Sequence, residues 1–95
     1  MGLGSEQITI MEISIKNTLG LHARPASMFV QLASTFDSEI FVEKEGEKVN
    51  GKSLMGLLML AAGCGTILKL QADGPDSELA IKALAELIEA KFNEE

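Results

Sequence analysis

A chain of 95 residues has room for one domain and no second, with a modest core because small domains bury a smaller share of their surface. Nearly half of the residues are apolar, so a packed fold is expected rather than disorder. A net charge of −6 argues against a nucleic-acid or anionic-membrane partner, which would favour a basic patch.

One cysteine and one histidine allow no intrachain disulfide and no zinc cluster, and nothing implies a metal or other cofactor. Cys64, in Ala61-Ala62-Gly63-Cys64-Gly65, reads as a small buried hydrophobe rather than a reactive thiol. A reducing, cytoplasmic setting fits this cysteine usage. No apolar run is long enough for a membrane span, and no signal-peptide pattern stands at the start.

Along the chain, residues 1–7 read as a loose polar tail. Residues 8–15 are β-branched and alternating, but Ile8 and Ile10 share one parity while Met11, Ile13 and Ile15 share the other. A slip of one residue flips every side chain to the other face, so the core strand is placed at residues 11–15. Residues 1–10 are then an extension, part of it appended or ahead of an alternative start at Met11, and the domain runs over residues 11–95.

A loop over residues 16–21 contains Gly20, and a helix is predicted over residues 25–35. Pro25 suits a first turn and biases Arg24 away from helical geometry. Ala26, Phe29, Val30 and Ala33 make its core stripe, widened by Leu32 and Phe36. A strand over residues 39–44, a turn at Glu45-Gly46-Glu47 and a short returning strand at Lys48-Val49 follow. Ser53 is a good N-cap for a helix over residues 54–60, which Gly63 and Gly65 stop. A last strand over residues 66–72 turns through Asp73-Gly74-Pro75 into a helix over residues 75–92. Ala80, Ile81, Leu84, Leu87 and Ile88 form its buried stripe. The order β-α-β-β-α-β-α points to an α+β layer, helices on one face of a largely antiparallel sheet.

Two segments carry chemistry. The first is Gly20-Leu21-His22-Ala23-Arg24-Pro25-Ala26-Ser27, holding the chain's sole histidine and sole arginine two residues apart. Imidazole takes up a group or a proton near neutral pH, and guanidinium braces an anion. The helix start, with amides around Ala26 and Ser27, favours an anion. A lone surface histidine would be the bland explanation, but its setting suits a site that carries a group. A hydrolytic triad has no support here. Lys16 and Lys52 are taken as solvated lysines, though positive charge near His22 would help an anion dock.

The second segment is Asn50-Gly51-Lys52-Ser53-Leu54-Met55-Gly56-Leu57-Leu58-Met59-Leu60. From residue 54 to residue 62 it has no polar side chain. A domain this small can hardly bury such a helix completely, so part of it faces water as an apolar docking patch. Leu54, Met55 and Leu58 are its candidates, with Met28 alongside. Ser53 caps the helix; phosphorylated, it would set a dianion at the patch edge and act by repulsion or desolvation.

At these two motifs the chain resembles the HPr family of phosphocarriers of the bacterial phosphoenolpyruvate-dependent sugar phosphotransferase system. The match runs over residues 11–92. The resemblance implies an open-faced β-sandwich, a four-stranded antiparallel sheet covered on one face by three helices. It implies a carrier rather than a stand-alone enzyme: His22 takes a phosphoryl group on Nδ1 from phosphorylated Enzyme I and passes it to EIIA domains, and Arg24 neutralises it. Ser53 matches the family's regulatory serine, which an HPr kinase/phosphorylase modifies where present, linking the carrier to a catabolite-control regulator. The serine motif looks like carriers of Gram-positive bacteria, whereas the stretch over residues 57–63 also looks like the nitrogen-related paralogue. His22 disfavours a purely regulatory paralogue lacking the active histidine. Monomer is the expected state.

Overall fold

The computed structural model describes residues 7–94, so residues 1–6 of the expected tail lie outside it. Seven main elements follow in chain order: β1 (Ile8–Ser14), α1 (Ala23–Ala33), β2 (Glu39–Lys44), β3 (Glu47–Asn50), α2 (Leu54–Leu60), β4 (Ile67–Asp73) and α3 (Ser77–Glu89). The strands form one antiparallel sheet in the order β1-β4-β2-β3. Ile13, Leu68, Leu70, Ala72, Ile40 and Val42 point to one face, where Phe29, Leu57, Leu60, Leu84 and Ile88 of the helices meet them. The architecture is the expected α+β sandwich, open on its other face.

Strand β1 begins at Ile8, three residues earlier than expected, and pairs with β4 without a break from Ile8↔Asp73 to Ser14↔Ile67. The change of parity is therefore not a slip. Ile8 and Ile10 lie on the open face at about half exposure (47% and 52%), and Ile13 and Ile15 lie in the core. An open sheet tolerates apolar residues on both faces, and alternation alone cannot separate that from a register change.

Helix α1 starts at Ala23, with His22 extended at its N-cap. Pro25 thus sits third in the helix. Its missing N–H falls in a turn whose amides have no intrahelical acceptor, so the helix extends back past it at no cost in hydrogen bonds. Arg24 is helical despite preceding proline. Val30 and Leu32 are only half-buried against a core held by Ala26, Phe29 and Ala33. Helix α2 is capped as expected: Gly56 N–H donates to Ser53 Oγ at 3.0 Å. It stops at Ala61, a left-handed residue (φ 52°), before either glycine. Lys44 Nζ donates to the Leu60 carbonyl at 2.9 Å and secures that end.

Helix α3 is shorter than its periodicity suggests. It ends at Glu89, and Lys91, Phe92 and Asn93 follow at φ 56°, 53° and 62°. This left-handed turn drives Phe92 fully into the core. Leu87, expected in the buried stripe, is half-buried, and Ala85 and Phe92 fill the space.

Candidate functional site

The loop that presents His22 is held by backbone pairing and by one buried side chain. Gly20 N–H donates to the Asn17 carbonyl at 3.1 Å, and Asn17 Nδ2 returns a bond to the Gly20 carbonyl at 2.7 Å. Leu21 N–H donates to the Ala62 carbonyl at 2.8 Å, docking the loop on the end of α2. Gly20 is required there: its φ is +72°, and a Cβ would lie 2.6 Å from the Ala62 carbonyl oxygen.

His22 is partly exposed, and its Nε2 lies 2.7 Å from Glu94 Oε2. Nε2 is thus engaged, whereas Nδ1 makes no hydrogen bond to a described residue. Glu94 is itself held, with Asn17 Nδ2 donating to its Oε1 at 2.9 Å. Asn17 and Glu94 were both missed in the sequence, the first read as loop and the second lying past the expected end of the last helix. The available signal was Phe92, an apolar residue at the end of a helical stripe.

The helix-start amides with no acceptor among the described residues are those of Ala23 and Arg24. Ala26 N–H, expected to face an anion, donates to the His22 carbonyl at 2.9 Å, and Ser27 lies one step further into the helical ladder. The earlier start of α1 accounts for this shift. Arg24 is exposed beside His22 on the same turn and has no ion-pair partner among the described residues. Lys16 pairs with Glu89 at 3.8 Å. Lys52 Nζ donates to the Phe36 carbonyl at 2.8 Å, past the far end of α1, so it adds no charge at His22. Cys64 is exposed rather than buried, because the glycines on either side carry it over a surface loop.

The apolar patch continues from this site along α2. Leu19, Leu21, Leu58, Ala61 and Ala62 line a shallow depression with His22. Leu54 and Met55 are exposed as expected, and Met59, not singled out from sequence, is equally so at 68%. Leu58 and Met28 are half-buried against the core and form the patch floor. Ser53 lies at the opposite end of α2 from His22, about 10 Å along the helix.

Comparison with known proteins agrees with this arrangement. A family model described as "PTS HPr component phosphorylation site" matches residues 10–90. The phosphocarrier protein HPr of Neisseria meningitidis serogroup A is 52% identical over 82 residues, covering 86% of this chain and 92% of the relative. The HPr-like protein Crh of Halalkalibacterium halodurans is 50% identical over 78 residues, 82% of this chain and 93% of the relative. The crystal structure of HPr-C-His from Thermoanaerobacter tengcongensis superposes with a TM-score of 0.89 at 56% identity, covering 92% of this chain and 98% of that one. Sequence and topology agree: this chain belongs to the HPr family, the phosphocarrier proteins of the phosphotransferase system.

Proposed function

We propose that His22 is the residue on which this phosphocarrier takes and gives the phosphoryl group, with Enzyme I as donor and EIIA domains as acceptors in the cytoplasm. The observation that carries the reading is an imidazole at the helix N-cap position whose Nε2 is engaged by Glu94 and whose Nδ1 has no partner among the described residues. In the forward step the Nδ1 lone pair attacks phosphorus, the Nδ1–P bond forms, and the donor's N–P bond breaks with its electron pair returning to the donor nitrogen. Arg24 and the Ala23 and Arg24 amides face the group's charge as it arrives. The site is shallow, so a second protein can bring its histidine in line, and the neighbouring apolar face aligns the two.

Intact-mass measurement after incubation with Enzyme I and phosphoenolpyruvate tests this. One added phosphoryl group is expected, lost in His22→Ala, with Arg24→Ala folded but slower. Acid-labile phosphate persisting on His22→Ala would refute the assignment.

A second reading adds to the first: regulation through Ser53. Its support is the position of Ser53 at the edge of the apolar face, and the relative whose structure is titled the Bacillus subtilis catabolite repression protein Crh, 44% identical to this chain. A phosphate on Ser53 would keep the Gly56 amide as donor, so the helix cap survives while the docking face gains a dianion. An HPr kinase/phosphorylase and a catabolite-control regulator are the partners this reading calls for, and an acid-stable phosphoester is its chemical mark.

A further inference from the structure

We infer that Glu94, clamped by Asn17, is a positioning residue that holds His22 in the Nε2–H tautomer and so keeps the Nδ1 lone pair free to attack phosphorus. The inference rests on His22 being the phosphoryl acceptor, and deepens that reading.

Hydrogen-bond roles around the site leave one consistent assignment. The Gly20 carbonyl can only accept, so the Asn17 atom 2.7 Å from it is the amide nitrogen. That same Nδ2 reaches Glu94 Oε1 at 2.9 Å, so this oxygen accepts. A carboxylate has only acceptors to offer, so Oε2, 2.7 Å from the ring, accepts from Nε2–H. A neutral imidazole with its proton on Nε2 has its lone pair on Nδ1. As the Nδ1–P bond forms, positive charge grows on the ring, and the carboxylate stays beside the proton that carries it. Nothing else is consumed: the Nε2 proton remains in place, and the phosphoryl group moves with its bonding pair returned to the donor.

Glu94 is placed by construction rather than by chance. Its side chain is only 13% exposed although it lies beyond the last main helix. It is brought there by three successive left-handed residues, none of them glycine, each costing about 1–2 kcal/mol relative to right-handed backbone. Burial of Phe92 and bonds from Asn93 N–H to the Ala90 carbonyl and from Glu94 N–H to the Lys91 carbonyl hold that turn. Strain that the surroundings over-determine beside a reactive group is the pattern of a functional constraint. Asn17 is fully buried, and its Oδ1 has no partner among the described residues, so the amide is oriented for its two donor bonds at the expense of its acceptor.

Glu94→Gln tests the inference. Asn17 Nδ2 is fixed as a donor by the Gly20 carbonyl and takes the single amide oxygen, so the Gln N–H faces Nε2 and drives the ring proton to Nδ1. Imidazole ¹⁵N chemical shifts of the full chain should report predominantly Nε2–H in the parent and a shift towards Nδ1–H in the variant. Phosphoryl acceptance from Enzyme I should slow by roughly tenfold, the scale of removing a residue that orients a reactive imidazole. An unchanged tautomer ratio in Glu94→Gln overturns the inference, as does a shifted tautomer with an unchanged rate. The tautomer is read without any phosphoryl donor. Failure of the parent to accept phosphate would therefore strike the carrier assignment, separately from the positioning of the ring.

Discussion

Gly20 is the residue on which the site depends most without taking part in its chemistry. Its φ of +72° and the 2.6 Å approach its Cβ would make to Ala62 leave no room for another residue. Gly20→Ala is expected to destabilise the fold by about 2 kcal/mol, from left-handed strain and displaced backbone together. Because the loop docks through Leu21 on the end of α2, the same variant should slow phosphoryl acceptance by more than its loss of folded protein explains. Thermal unfolding alongside phosphorylation rates at a temperature where the variant is fully folded checks both parts. His22 and Arg24 were legible in the sequence as a pair, since a unique imidazole and a unique guanidinium at a helix start leave few alternatives. Asn17 and Glu94 were not legible: residues 77 positions apart meet only because the chain turns back after α3.

Between elements, the joints are made by single polar side chains. Asp76, at the N-cap of α3, does not cap its own helix. It accepts from Asp37 N–H at 2.8 Å and from Ser38 N–H at 2.9 Å, and also from the Ser38 hydroxyl, tying the loop before β2 to the start of α3. The Ser38 hydroxyl above all, then the Asp37 amide, hold the Asp76 carboxyl below the ordinary carboxylate value of 3.8. A carboxyl with a depressed folded-state value stabilises the fold above its unfolded value and loses that contribution as pH falls through the folded one. Asp76→Asn should therefore be less stable than the parent near neutrality, and the gap in Tm should narrow as pH falls from about 5 towards 2. A gap that stays constant over that range would show that the joint does not depend on the charge. On the open face of the sheet, Glu12, Lys69, Glu43 and Lys48 stand opposite one another in register, alternating in sign across all four strands. Exposed pairs of this kind contribute little energy each, and a two-residue slip of β1 would set Glu12 opposite Ile67 or Gln71 instead of Lys69.

Taken whole, the molecule sets an apolar face beside the proposed site. His22 stands at one end of it, Ser53 at the other, and the exposed side of α2 runs between them. Leu57 and Leu60 anchor that helix in the core, which leaves Leu54, Met55 and Met59 to solvent. Methionines suit a surface that must fit a donor and several acceptors in turn. Met59→Glu and Ser53→Asp are each expected to leave stability within about 0.5 kcal/mol of the parent, as surface changes do. Both should raise the apparent KM for transfer with Enzyme I while changing kcat little, because they remove docking common to the ground and transition states. A fall in kcat with an unchanged KM would instead place these residues in the chemistry.

The element order and the family were determined by the sequence alone, because hydrophobic periodicity, turn residues and two spaced motifs are local signals. Only the tertiary structure decided the details that make the site specific. The amide of Ala26 is occupied because α1 starts before the proline, and Lys52 serves the far end of that helix. The last turn winds left-handed because burying Phe92 outweighs the backbone's own preference. That final choice depends on the shape of a core built from every element, which no local pattern encodes, and it is the choice that brings a carboxylate to His22.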